Sequence, residues 1–200
     1  CIGDSLTSQG YPLRLKLLLR ERGMRALVRD GGFAGSGVGS FQHPKQLAAL
    51  TDTRWDVVVV MLGTNNALRN RDGGFNKKAF LIPYESLLRR LSTREVPGTP
   101  GTRLVLTGIP PRVQDPLGEL PGPYDPFVIE NVLPEAVCEA AARASVGIFN
   151  PRAALGGERP DKSFYEPDGV HLSGRGDCAV ARVILEALLT EASTLGWPGC

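Results

Sequence analysis

The chain has 200 residues, 42% of them apolar, which is enough to bury one substantial core. We therefore expect a single domain over residues 1–200. A net charge of +2 is too small to indicate binding to nucleic acid or to a membrane surface, and no apolar run approaches the length of a membrane span.

Apolar runs of strand length alternate with helical stretches along the chain. Strands are predicted at residues 1–2, 26–29, 57–62, 104–109 and 146–149. Helices are predicted near residues 11–22, 77–94, 126–144 and 173–195. Stretches rich in glycine and proline predict loops at 96–101 and 110–126. The alternation is typical of an α/β protein, with a parallel sheet covered by helices on both faces.

Polar motifs lie next to these predicted elements. Gly3-Asp-Ser-Leu-Thr7 follows the first strand, Gly63-Thr-Asn65 follows the third, and Asp168-Gly-Val-His171 precedes the last helix. Ligands of open parallel sheets bind outside the carboxyl ends of the strands, so we expect the three motifs to converge at one edge.

These motifs supply the parts of a nucleophilic serine site. A serine hydroxyl needs a base to accept its proton, a carboxylate to orient that base, and donors for the oxyanion that forms. Ser5, His171, Asp168 and Asn65 have those four functions. His43 is the weaker candidate for the base, because no carboxylate lies within three residues of it. Each motif alone is also typical of a turn or a helix cap.

Other chemistries have little support in the sequence. The run Gly35-Ser-Gly37-Val-Gly39 resembles a dinucleotide-binding loop, but the spacing fails at Ser40. No G-x-S-x-G motif occurs, which argues against the α/β-hydrolase version of serine chemistry. Two histidines and four dispersed cysteines give no metal-binding pattern.

With these motifs the chain resembles the SGNH (GDSL-type) hydrolases over almost its whole length. The family's first block looks like Cys1-Ile-Gly-Asp-Ser-Leu-Thr7, its third like Met61-Leu-Gly-Thr-Asn-Asn66, and its last like Asp168-Gly-Val-His-Leu172. The resemblance implies a three-layer α/β/α sandwich whose parallel, flavodoxin-like sheet has about five strands. In the family a complete strand precedes the serine, so we expect this chain to lack most of its first strand.

The resemblance also implies an oxyanion hole formed by the Ser5 N–H, a glycine N–H and the Asn65 amide. The glycine belongs to the family's second block, which corresponds to Asp30-Gly-Gly-Phe-Ala-Gly-Ser-Gly-Val-Gly39. Matching Phe33-Ala-Gly35 to the family's apolar-small-glycine step selects Gly35, with Gly37 as the alternative. Asn66 stands where the family commonly has Asp, which leaves open what holds Asn65 in place.

The activity implied by the resemblance is hydrolysis of a carboxylic ester through an acyl-serine intermediate, with no cofactor and no metal. The expected partner is a small-molecule ester, either an acetylated sugar or a lipid ester. Acyl transfer to a sugar or alcohol would use the same residues. A carbohydrate- or lipid-binding module without turnover is the alternative from another class.

Specificity is expected in the loops at 66–74 and 110–126. Leu68, Phe75 and Tyr124 are candidates for the lining of an acyl pocket. Arg69 and Arg71 could meet an acidic leaving group. In each case ordinary packing or solvation is the competing interpretation.

Overall fold

The computed structural model describes residues 1–8, 10–43, 55–68, 74–92, 104–114 and 124–194. Within these ranges one parallel sheet has the strand order β2-β1-β3-β4-β5. The strands are β1 (Ile2–Gly3), β2 (Gly31–Gly32), β3 (Val57–Met61), β4 (Leu104–Gly108) and β5 (Gly147–Phe149). This is the flavodoxin-like order, in which neighbours β1 and β3 mark the point where the winding reverses.

Helices cover both faces of the sheet. They are α1 (Ser5–Ser8), α2 (Tyr11–Glu21), α3 (Lys77–Ser92), α4 (Leu133–Ala144) and α5 (Gly174–Thr194). A π-helical turn, Val128–Val132, leads into α4. Within the described ranges, none of the helices has the length and hydropathy of a membrane span.

Two hydrophobic cores lie on opposite faces of the sheet, and β3 contributes to both. Val58 and Val60 belong to the core formed with α3 and α4, whereas Val59 and Met61 belong to the core formed with α2 and α5. This division follows from the alternation of side chains along a strand. The predicted α/β/α sandwich with a parallel, flavodoxin-like sheet of about five strands is confirmed.

The second strand was the main error in the predicted elements. It was expected at 26–29, but the strand is Gly31–Gly32, and Leu27 is 77% exposed. Gly31 N–H donates to Cys1 O at 2.8 Å, and a Cβ on Gly32 would lie 2.3 Å from Ser8 N. The close approach of α1 therefore selects glycine, and a strand without apolar side chains gives no hydrophobic pattern.

The remaining elements lie close to their predicted positions. β3, β4 and β5 each begin or end within one residue of the prediction. The helix predicted at 126–144 includes the π-helical turn before α4, which the sequence pattern did not indicate. The predicted loop at 96–101 lies outside the described residues, as does most of the loop at 110–126.

Candidate active site

Ser5 is the first residue of α1, and Asp4 separates it from the end of β1. The carbonyl of Asp4 accepts hydrogen bonds from the N–H groups of Thr7 and Ser8, at 3.2 and 3.1 Å, so the helix starts directly behind the strand. A Cβ on Gly3 would lie 1.9 Å from Thr7 Oγ1 and 2.6 Å from Met61 O. Only glycine fits this close approach, which explains the Gly-Asp-Ser order at the start of the motif.

Asp4 has a structural role that the turn interpretation anticipated. Its Oδ1 accepts a hydrogen bond from Leu6 N–H at 2.9 Å, closing an Asx-type turn around Ser5. The carboxyl group is buried, and burial raises its pKa to about 6, although the Leu6 N–H and the nearby His171 act in the opposite direction. This burial could not be predicted from the sequence pattern.

The Asp168 carboxylate uses both of its oxygens to hold His171. Oδ2 lies 2.5 Å from His171 Nδ1, and Oδ1 accepts from the N–H groups of Val170 and His171, each at 2.9 Å. Partial burial raises the pKa of Asp168, but the bonds from the His171 ring and from the two N–H groups outweigh this effect. The pKa therefore lies below its usual value, and the carboxylate stays ionised at neutral pH.

His171 connects this carboxylate to the serine at the other end of the chain. His171 Nε2 lies 3.0 Å from Ser5 Oγ. Because a carboxylate can only accept, Nδ1 carries the proton and Nε2 presents its lone pair to the serine hydroxyl. The structure thus brings Ser5, His171 and Asp168 into one hydrogen-bonded chain, whereas His43 is an exposed residue after the 3-10 turn Val38–Gln42.

Asn65 lies in the 3-10 turn Thr64–Ala67, which begins three residues after the end of β3. Its Nδ2 donates one hydrogen bond to Ser36 O at 3.1 Å. A primary amide has two N–H groups, so a second donor remains on the same nitrogen. Asn65 is therefore held by the loop after β2 while keeping an N–H for another acceptor.

The two candidate glycines of this loop have different environments. Gly35 has φ +73° and lies in a turn closed by Ser36 N–H to Phe33 O at 3.1 Å, a conformation that favours glycine. Gly37 has an extended backbone and packs on Asn66, since a Cβ there would lie 2.9 Å from Asn66 Oδ1. Packing accounts for Gly37, whereas the backbone conformation accounts for Gly35.

Asn66 forms a second bond between the same two segments. Its Oδ1 accepts from Val38 N–H at 3.1 Å, and its own N–H donates to Gly63 O at 2.9 Å. An amide oxygen thus provides the acceptor that the family's carboxylate would offer at this position. The departure from Asp to Asn leaves the turn around Asn65 held in place.

The proposed pocket residues divide into two groups. Leu68 and Tyr124 form an antiparallel bridge beside the Asn65 turn. Burial, followed by the charges of Asp4 and Asp168, raises the pKa of Tyr124. Phe75 instead packs on Phe80, with 5.5 Å between ring centroids. Arg69 and Arg71 lie outside the described residues.

The match to known proteins agrees with this fold. The chain belongs to the GDSL-like lipase/acylhydrolase family, which it matches over residues 1–177. Ester hydrolysis is the reaction class that this membership supports. Curated protein sequences give no match.

Solved structures similar to the chain share its fold at low sequence identity. A lipase/acylhydrolase from Enterococcus faecalis is 18% identical, with a TM-score of 0.74 and coverage of 95% of this chain and 94% of that one. An acetyl xylan esterase is 20% identical, with a TM-score of 0.70 and coverage of 94% and 97%. A carbohydrate acetylesterase family member from Sinorhizobium meliloti is 20% identical, with a TM-score of 0.69 and coverage of 95% and 96%.

Proposed function

We propose that the protein is a serine esterase that cleaves a carboxylic ester through an acyl-serine intermediate. The observation that carries the proposal is the hydrogen-bonded chain from Asp168 through His171 to Ser5, with contacts of 2.5 and 3.0 Å. In this proposal Ser5 is the nucleophile, His171 the base, and Asp168 the group that orients the imidazole and stabilises its charged form.

The first half of the reaction acylates the serine. His171 Nε2 takes the hydroxyl proton while Ser5 Oγ bonds to the ester carbonyl carbon, whose oxygen becomes negatively charged. The Ser5 N–H, the Gly35 N–H and the second N–H of Asn65 Nδ2 stabilise that oxyanion. When the tetrahedral intermediate collapses, the bond to the alcohol oxygen breaks, and His171 gives that oxygen its proton.

The second half releases the acid. Water attacks the acyl-serine carbonyl and gives a proton to His171 Nε2, and a second tetrahedral intermediate forms at the same donors. Its collapse breaks the bond to Ser5 Oγ, which recovers the proton from His171. Asp168 remains ionised throughout, as its lowered pKa implies.

For the substrate we infer an acetyl ester of a carbohydrate. Support comes from similar folds described as an acetyl xylan esterase and a carbohydrate acetylesterase family member. Tyr124 is half-buried, and its main chain bridges to Leu68 directly after the turn that carries Asn65. Its aromatic side chain is the surface on which we propose that a sugar packs.

A panel of p-nitrophenyl esters from acetate to octanoate, run beside acetylated xylo-oligosaccharides, tests this function. We expect kcat/KM to fall as the acyl chain lengthens and Ser5→Ala to abolish turnover. A preference for octanoate would contradict the acetyl assignment and indicate a lipase-like role. Adding a sugar or alcohol acceptor separates hydrolysis from acyl transfer, because a transferase would form the new ester in place of free acetate.

A further inference from the structure

Gln114 is a buried polar residue beside the loop that carries Asp168 and His171. It lies six residues beyond the end of β4, and only 8% of its surface is exposed. A buried amide is costly unless its donors are paired, so its hydrogen-bond partners show what this residue holds in place.

Both donors of Gln114 point to the same loop. Its main-chain N–H donates to Gly169 O at 2.6 Å, and its Nε2 donates to Pro160 O at 2.5 Å. Gly169 lies between Asp168 and His171 in the chain. Gln114 therefore fastens residues 160–169 at two points to the segment that follows β4.

Such fastening matters because burial alone does not hold the two side chains. The Asp168 side chain is 49% exposed and that of His171 is 29% exposed. Bonds such as Glu166 N–H to His171 O at 2.8 Å shape the loop internally, but they do not fix its distance from Ser5. The bonds to Gln114 connect the loop to the segment that follows β4, a strand of the same sheet whose β1 leads into Ser5.

We infer that Gln114 is a positioning residue, which keeps the Asp168–His171 loop at the distance where His171 Nε2 meets Ser5 Oγ. The inference rests on the proposed function. Misplacement of a reacting group by about 1 Å can cost about 100-fold in rate without a contact to the substrate. Loss of the Gln114 side-chain bond should consequently lower kcat far more than it changes KM.

The test compares Gln114→Met with Gln42→Met. Methionine keeps the length of glutamine but removes the donor. Gln42 provides a matched control, because its Nε2 also donates to a proline carbonyl, Pro83 O at 2.8 Å, on α3. We expect Gln114→Met to lower kcat by about 10- to 100-fold, with KM nearly unchanged and phosphonate labelling of Ser5 slowed by a similar factor. Gln42→Met should retain the wild-type kcat.

Wild-type kcat in a folded Gln114→Met, or an equal loss in both variants, would overturn the positioning role. If Gln114→Met is unfolded at the assay temperature, the positioning role is tested with Gln114→Glu instead. Its ionised carboxylate cannot donate to Pro160 O, but its protonated form can, so its activity relative to wild type should rise as pH falls. If the activity of Gln114→Glu relative to wild type did not change with pH, the inference would be overturned. Turnover that survives Ser5→Ala would instead refute the proposed function.

Discussion

Asn65 and Asn66 make similar structural bonds, and this allows a catalytic contribution to be separated from a structural one. Asn65 donates to Ser36 O, and Asn66 accepts from Val38 N–H, both at 3.1 Å. A hydrogen bond of this kind contributes about 1 kcal/mol to the free energy of unfolding. Asn65→Ala and Asn66→Ala should therefore lower the melting temperature by similar amounts, about 2–4 °C for a domain of this size.

The two variants should differ in turnover. The proposed function assigns the second N–H of Asn65 to the oxyanion, and removal of one such donor costs about 100- to 1000-fold in kcat, or ~2.7–4 kcal/mol. KM should change little, because the bond strengthens only as charge develops in the transition state. Asn66→Ala should lose far less, and Asn66→Asp should be nearly neutral, since a carboxylate also accepts from Val38 N–H.

Steady-state kinetics with p-nitrophenyl acetate and thermal melts of the same samples supply both quantities. The oxyanion assignment requires equal stability losses together with unequal losses in kcat. If Asn66→Ala had the larger kcat loss, the donor would be Asn66 and the motif would be one residue out of register. If kcat fell in proportion to stability in both variants, neither amide would act on the oxyanion.

Three further outcomes are expected. An organophosphonate should label Ser5, Ser5→Ala should abolish labelling and turnover, and mass spectrometry that found the label on another serine would refute the nucleophile. Turnover should fall on the acid side and reach a plateau above neutral pH. The pKa of Asp168 lies below its usual value, so we assign the acid loss to the base, which can accept the Ser5 proton only in its neutral form. Asp168→Asn should reduce kcat strongly and His43→Ala little, and equal losses at His43 and His171 would contradict the choice of base. Gly3→Ala should destabilise the fold by about 1–3 kcal/mol because its Cβ meets Thr7 and a main-chain oxygen, while Gly39→Ala, with nothing within 4 Å, is the control for its melting temperature.

Elements with a hydrophobic pattern could be predicted from the sequence, and elements held by main-chain pairing could not. β3 alternates between two buried faces, so a run of valines was sufficient to locate it. β2 consists of two glycines, and close contact with α1 replaces side-chain packing there. Its prediction from the apolar residues at 26–29 was wrong for that reason.

The same distinction applies to the site. The residues whose chemistry is specific, such as Ser5, Asp168 and His171, could be named from short motifs, and the structure brings them together. Gln114 could not be named, because a glutamine in a loop has no signature until its partners are known. The environment of Asp4 was equally hidden, since its raised pKa depends on burial by distant parts of the chain.

The contact between Ser5 and His171 joins positions 166 residues apart in the sequence, and this has a consequence during synthesis. Ribosomes add about 5–20 residues per second, so roughly 8–33 s pass between the addition of Ser5 and the addition of His171. A nascent chain therefore carries a serine with no base and cannot attack esters while it is being made. Recovery of turnover on refolding should likewise report the formation of this long-range contact.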